Sequence, residues 1–225
     1  MCIRDSSGRL GAYLRNTEWR FYTMVLGVAT LVLTATILQT HDGALEVAFR
    51  KALFQTLAIC TTTGFVTDDY GAWPIFGQAL LVFFMFTGGC AGSTSGGMKL
   101  SRILILWKAA LIEITHTVKP HAVRIVKLGR SAVRDEVVKQ VFAYAVIFFV
   151  TVFVCMLALA LEGVDLVTSF AGAVACVGNV GPGLGGVGPA EHYGHLSSVS
   201  KVVLSLGMML GRLEFFTVLA LVLPN

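Results

Sequence analysis

The chain has 225 residues, 56% apolar and 13% charged, with a mean hydropathy of +0.78 and a net charge of +4. A soluble domain usually carries about 25% charged residues, so an ordinary soluble domain is excluded and a polytopic membrane protein is indicated. Thirteen of the seventeen Lys and Arg fall in two blocks, 4–20 and 99–139, while the intervals around 40–75 and 161–200 are acid-rich. By the positive-inside rule the basic blocks are cytoplasmic and the acid-rich intervals external. Juxtamembrane basic residues are topological far more often than they bind nucleic acid, so no nucleic-acid partner is expected.

Residues 1–20 form a cytoplasmic N-terminal segment, without a small-residue cleavage site that would make it a signal peptide. The opening Met1-Cys2-Ile3-Arg4-Asp5-Ser6 fits no recognisable element and is not expected to be a native start. The first full span covers 21–38, long enough to cross the hydrocarbon core. His41-Asp42-Gly43 marks an external turn. Residues 44–60 are too short and too polar for another crossing, with Glu46, Arg50, Lys51 and Gln55 on one side. They read as a half-span helix re-entering from outside.

Thr61, Thr62, Thr63 and Gly64 then return as extended chain before Phe65. Gly64 supplies a backbone angle that a residue with a Cβ resists, and carbonyls freed at membrane depth can replace the water around a cation. Asp68-Asp69-Tyr70-Gly71 is an external turn, and Tyr70 and Trp73 are expected to be interfacial anchors. The segment 74–87 heads inward. It is interrupted by Gly88-Gly89-Cys90-Ala91-Gly92-Ser93-Thr94-Ser95-Gly96-Gly97. A nucleotide-binding loop needs Gly-Lys-Ser/Thr at its end; here Gly97 is followed by Met98-Lys99-Leu100, and that reading fails. Within a span, Gly88, Gly89, Gly92, Ser93, Thr94, Ser95, Gly96 and Gly97 are either a mobile gate or a static kink. An amphipathic basic helix follows from Lys99.

A cytoplasmic basic linker occupies 119–137, broken at Pro120, and a second full span covers 138–161. A second half-span over 165–177 leads into Gly178, Asn179, Val180 and Gly181, then Pro182-Gly183. The loop over 184–200 is glycine-rich, and its Glu191-His192-x-x-His195 lacks the helical context of a metal site. The last span covers 201–223 and carries Arg212, two residues from Glu214. An Arg at mid-depth costs at least ~2.5–3.5 kcal/mol and normally faces the protein interior with a partner. One such partner would be the carbonyls of the 88–97 loop. The order span, half-span, glycine segment, span is thus written twice, over 21–118 and 138–225. Aligning Gly64 with Gly181 also pairs Leu53 with Phe170 and Ala58 with Ala175. Repeats of this kind place the transport site at their interface.

The five cysteines form no CxxC pair, and no zinc signature or nucleophile–base constellation is seen. No enzyme activity is expected. A secondary transporter of a small solute built from broken helices, or a non-conducting membrane assembly subunit, are the alternatives to a cation pathway.

Thr61-Thr62-Thr63-Gly64-Phe65, Gly88-Gly89-Cys90-Ala91-Gly92-Ser93-Thr94, Lys119-Pro120, Asn179-Val180-Gly181-Pro182-Gly183-Leu184 and Gly211-Arg212-Leu213-Glu214 together resemble the Trk/Ktr/HKT superfamily of potassium transporters, nearest its TrkH-like branch. The resemblance runs from about residue 21 to the end. It implies an all-α integral membrane fold with two span–pore-helix–filter–span repeats, the third and fourth of a four-repeat pseudo-symmetric pore. It further implies that Thr61, Thr62, Thr63, Gly64, Gly178, Asn179, Val180 and Gly181 belong to a potassium filter of backbone carbonyls. The 88–97 loop is then the gate and Arg212 the residue facing it. Potassium is the transported ion, with no resident cofactor. A homodimer and a cytoplasmic nucleotide-binding regulatory subunit are implied partners, with nucleotide reaching the system only through that subunit. The expected location is the bacterial inner membrane. Two repeats supply half of a four-sided filter, so a fragment of a longer protein is expected.

Overall fold

The computed structural model describes residues 17–41, 43–118, 125–128 and 131–213. Among the described residues seven α-helices follow in chain order: α1 Thr17–Ile37, α2 Leu45–Cys60, α3 Ile75–Met85, α4 Leu100–Val118, α5 Asp135–Leu161, α6 Leu166–Val177 and α7 Ser198–Arg212. A two-residue antiparallel ladder, β1 Lys127–Leu128 with β2 Ser131–Ala132, lies in the basic linker and is its only strand pairing among the described residues. Lys108 of α4 donates to the Lys127 carbonyl at 2.7 Å and fixes that ladder to the helix.

Length separates the helices into two kinds. At 1.5 Å per residue, α1 and α5 reach about 30 and 40 Å, enough for a hydrocarbon core of about 30 Å. They are also apolar enough to cross a membrane. The 16-residue α2, the 11-residue α3 and the 12-residue α6 cannot cross alone. The outward face of α5 is apolar, with Phe142, Phe149, Val150 and Phe153 all more than half exposed. A row of this kind fits a hydrocarbon environment, where exposed Phe and Val carry no penalty.

Each long helix packs on the short helix after it, α1 on α2 and α5 on α6. In both halves the short helix also packs on the helix that follows it, α2 on α3 and α6 on α7. The two halves meet where α3 touches α6. There Phe86, just past α3, sets its ring 6.3, 5.7 and 6.2 Å from Phe148, Phe149 and Phe170. Leu33, Ile37, Met85, Tyr144, Phe148, Leu159 and Val174 are buried in one continuous core.

Two expectations, the anchor role of Tyr70 and Trp73 and the start of the last helix, are corrected. Tyr70 and Trp73 are not interfacial anchors: both are buried, edge to face at 6.4 Å. Asp68 holds the indole N–H at 2.9 Å and Lys51 at 2.8 Å, so the external turn is pinned onto α2 and its aromatics fill the core. The large side chains of α2 (Leu45, Phe49, Leu53, Phe54, Leu57) face outward, while Gln55 and Thr56 are buried. The last helix starts at Ser198, within the expected loop, because the Ser197 hydroxyl caps it by accepting from the Ser200 amide at 3.1 Å. Arg212 is the last residue of that helix. Lys119-Pro120, Asp42 and Glu214 lie outside the described residues.

Candidate functional site

The two short helices end in the same backbone figure. After α2, the amides of Thr61, Thr62, Thr63 and Gly64 donate to the carbonyls of Leu57, Ile59, Ala58 and Ala58 at 2.9, 3.0, 2.9 and 3.2 Å. After α6, the amides of Gly178, Asn179, Val180 and Gly181 donate to Val174, Cys176, Ala175 and Ala175 at 2.8, 2.9, 2.8 and 3.4 Å. Every donor and acceptor in the second set lies 117 positions beyond its counterpart in the first. Positive φ recurs in register too: Thr62 at 54° matches Asn179 at 57°, and Gly64 at 74° matches Gly181 at 108°. Two non-glycine residues in the left-handed region at matched positions are strained conformations held by their surroundings, a pattern that clusters at functional sites.

The two segments also meet. A Cβ on Gly64 would lie 2.1 Å from the Val180 carbonyl oxygen, so glycine alone permits the approach. Beside Gly181 the space is open. The two segments are therefore neighbours, not independent loops. Helices α2 and α6 both end at this junction, each C-terminus equivalent to roughly half a negative charge. That polarity attracts a cation and repels an anion.

The 88–97 loop packs against both segments. The Gly96 amide donates to the Thr62 hydroxyl at 3.1 Å, and a Cβ on Gly96 would sit 2.6 Å from that of Asn179. One loop glycine thus touches both positive-φ residues. Inside the loop, Gly89 N–H donates to Ser95 Oγ at 2.7 Å, and Ser93 and Ser95 hydroxyls share a hydrogen bond of 2.7 Å. Gly88 N–H donates to the Met98 carbonyl at 2.8 Å and Met98 N–H to that of Phe86 at 3.1 Å, closing its neck. These partners, some from the loop and some from Thr62, Phe86 and Met98 beside it, satisfy an unwound segment where water is scarce.

Arg212 and the loop share one cavity. A cavity of about 220 Å³ is lined by Ser93, Thr94, Ser95 and Gly97 from the loop, Lys99 and Arg102 of the following segment, Tyr144 of α5, and Gly211 and Arg212 of α7. The Arg102 guanidinium stacks 4.0 Å above the Tyr144 ring, a cation–π contact. Three cationic side chains around one cavity raise the electrostatic potential there. Gly211 brings α7 close: a Cβ there would lie 1.9 Å from the Val177 carbonyl. Asn179 Nδ2 completes the join, donating to the Met208 carbonyl at 3.1 Å and to that of Val177 at 3.3 Å.

Three contributors escaped the sequence reading. Glu18 is buried and accepts from the Ala91 amide at 2.6 Å, holding the loop from α1. Tyr144 donates to the Gly97 carbonyl at 3.3 Å. Tyr193 donates to the Gly181 carbonyl at 2.6 Å. A signal existed for the last: the dipeptide Tyr-Gly recurs after each glycine segment, at Tyr70-Gly71 and Tyr193-Gly194. Within the Glu191-His192-x-x-His195 stretch, His192 Nδ1 instead accepts from the Gly194 amide at 3.1 Å and caps a 3₁₀ turn.

Membrane-length helices paired with half-length helices, whose C-termini converge on free carbonyls, define a membrane transport protein. The family described as TrkH, cation transport protein, matches residues 10–224, and the chain belongs to it. It is similar to the Trk system potassium uptake protein TrkH of Vibrio parahaemolyticus, at 40% identity over 95% of this chain and 44% of that protein. The protein of the same name from Escherichia coli K12 is 41% identical over 97% of this chain and 45% of its own length. The crystal structure of the potassium transporter TrkH from Vibrio parahaemolyticus superposes with a TM-score of 0.89 and 40% identity, covering 97% of this chain and 47% of that one. The chain therefore spans about half the length of the relatives it matches. It is membrane-embedded, and its relatives are transporters rather than enzymes.

Proposed function

We propose that this chain forms one side of a channel-like potassium pathway, contributing two of four span–pore-helix–filter–span repeats. Residues 21–118 form one repeat, 138–225 the other, and 119–137 a cytoplasmic linker. The observation that carries the reading is the pair of matched positive-φ segments, abutting at Gly64 and Val180 and both touched by one loop glycine, Gly96. In this reading Thr61, Thr62, Thr63 and Gly64 with Gly178, Asn179, Val180 and Gly181 present carbonyls that replace the hydration shell of potassium. The 88–97 loop closes the path below, and Arg212 adds a repelling charge at the closure. The names and lengths of the relatives support potassium as the ion and a longer working protein. The transporter sits in the inner membrane as a multi-pass protein and pairs as a homodimer. A nucleotide-sensing cytoplasmic subunit docks on the basic surface over 99–139.

In the intact transporter that carries this chain, Gly181→Ser is expected to lower the preference for potassium over sodium. Arg212→Ala is expected to raise basal cation flux. Both are read by rubidium and sodium uptake into proteoliposomes. A scaffold would show unchanged flux in both variants, and a solute carrier would show saturable transport of its solute; either result overturns the proposal.

A further inference from the structure

Gly181 differs from the other residues of its segment in how its carbonyl is held. Its φ of 108° is open to glycine alone, and nothing lies within 4 Å of where a Cβ would point. The next residue, Pro182, has no N–H to offer. No backbone donor among the described residues reaches the Gly181 oxygen. What holds this peptide is the phenol of Tyr193, whose hydroxyl donates to that oxygen at 2.6 Å, the short end of the O–H···O range.

The tyrosine is itself rigidly carried. It opens the 3₁₀ turn Tyr193–His195, which His192 caps through its own ring nitrogen. Lys201, in the first turn of α7, donates to the Gly194 carbonyl at 2.8 Å. The His195 ring lies against Gly186, and the Cys176 thiol at the end of α6 neighbours the Tyr193 hydroxyl. The phenol therefore approaches from behind the segment, on a turn tied to both α6 and α7.

We propose that Tyr193 is a positioning residue for ion selectivity, fixing the direction of the Gly181 carbonyl from outside the ion path. This rests on the reading of residues 178–181 as part of the filter. A carbonyl at such a site must keep one orientation while ions pass, because its dipole sets the field that separates potassium from sodium. Glycine at positive φ, followed by proline, leaves that peptide little local restraint. One lone pair engaged by the phenol holds the plane, and the second stays free for the ion. In a poorly solvated interior the bond also polarises the carbonyl it restrains.

The test compares Tyr193→Phe with Gly181→Ser in the intact transporter that carries this chain. It records the potassium-to-sodium permeability ratio and the assembled amount by size exclusion. The expected result for Tyr193→Phe is a ratio lowered about threefold, the scale of one lost hydrogen bond, with assembly unchanged. A ratio unchanged in Tyr193→Phe but lowered in Gly181→Ser overturns the role of Tyr193 and leaves the filter reading standing. A ratio unchanged in both overturns the filter reading and this proposal with it. Should Tyr193→Phe fail to assemble, 3-fluorotyrosine placed at 193 keeps the shape and strengthens the donor. A shifted ratio then supports the brace and an unshifted one removes it.

Discussion

The segments after α2 and α6 reach the same backbone figure by different means of support. In the second, Gly181 lies beside open space and its carbonyl is held by Tyr193. In the first, Gly64 is wedged against the Val180 carbonyl, and the corresponding tyrosine, Tyr70, is fully buried with its hydroxyl making no hydrogen bond. Both tyrosines open equivalent 3₁₀ turns, one capped by Asp69 through Gly71 N–H at 2.9 Å, the other by His192. The lesson is that repeat symmetry preserves the carbonyl ladder and not the means of bracing it. The first segment is positioned by steric contact with its neighbour, the second by a polar bond from behind.

The largest test of that contrast is glycine replacement. Gly64→Ser places a Cβ inside the Val180 carbonyl and adds positive-φ strain, so a loss above about 3 kcal/mol is expected, with failure of assembly. Gly181→Ser meets only the strain, of order 1–3 kcal/mol, and assembles. Thermal unfolding in detergent separates the two, and the reverse ranking would break the comparison.

Next in size are the residues at φ near 55°. Asn179→Ala removes the side-chain donor to Met208 and Val177 and puts a residue less tolerant of the left-handed region there. A cost of about 1–3 kcal/mol follows, together with increased leak where α7 loosens from the segment. Thr62 tells the opposite story, since a β-branched residue is poorly suited to its φ of 54°. Thr62→Asn, able to keep an acceptor for Gly96, is expected to gain up to about 1 kcal/mol. Melting temperatures check both, and a destabilised Thr62→Asn would show that the methyl group is needed for packing.

The smallest effect is electrostatic and belongs to the second repeat. Glu162, just beyond α5, accepts hydrogen bonds from the Ser197 and Ser200 hydroxyls at the start of α7. These bonds hold its carboxyl below the ordinary value of 4.5. A carboxylate with a lowered folded value stabilises fully above its unfolded value, and that stabilisation is lost as pH falls through the folded value. The protection factor against hydrogen exchange at the α7 N-terminus, taken relative to the intrinsic rate at each pH, should thus be steady from pH 7 to about 5 and fall below about 4.5. Glu162→Gln should flatten that dependence. An unchanged profile in Glu162→Gln would assign the acid sensitivity to Asp165, whose carboxyl is lowered by the Thr168 hydroxyl and amide.

Much of the architecture was visible without coordinates because its signals are local. Apolar run length separates α1 and α5 from the short helices. The Thr-Thr-Thr-Gly and Gly-Asn-Val-Gly strings mark where helix gives way to free carbonyl, since threonine and glycine hold a helix poorly. The register of 117 between the two segments follows from aligning one glycine pair. The burial of Tyr70 and Trp73 was not visible, because an aromatic beside an acidic turn reads equally well as a membrane-surface anchor.

By itself, then, the order of residues determined the class of protein, the short helices and the glycines at which their chains turn, because helix propensity and hydropathy act over a few positions. Tertiary structure alone decided what holds those turns: Glu18 on Ala91 across 73 positions, Gly96 on Thr62 across 34, and Tyr193 on Gly181 across 12. Each is a polar contact in a poorly hydrated interior, strong enough to matter only when folding brings its partners together and excludes water.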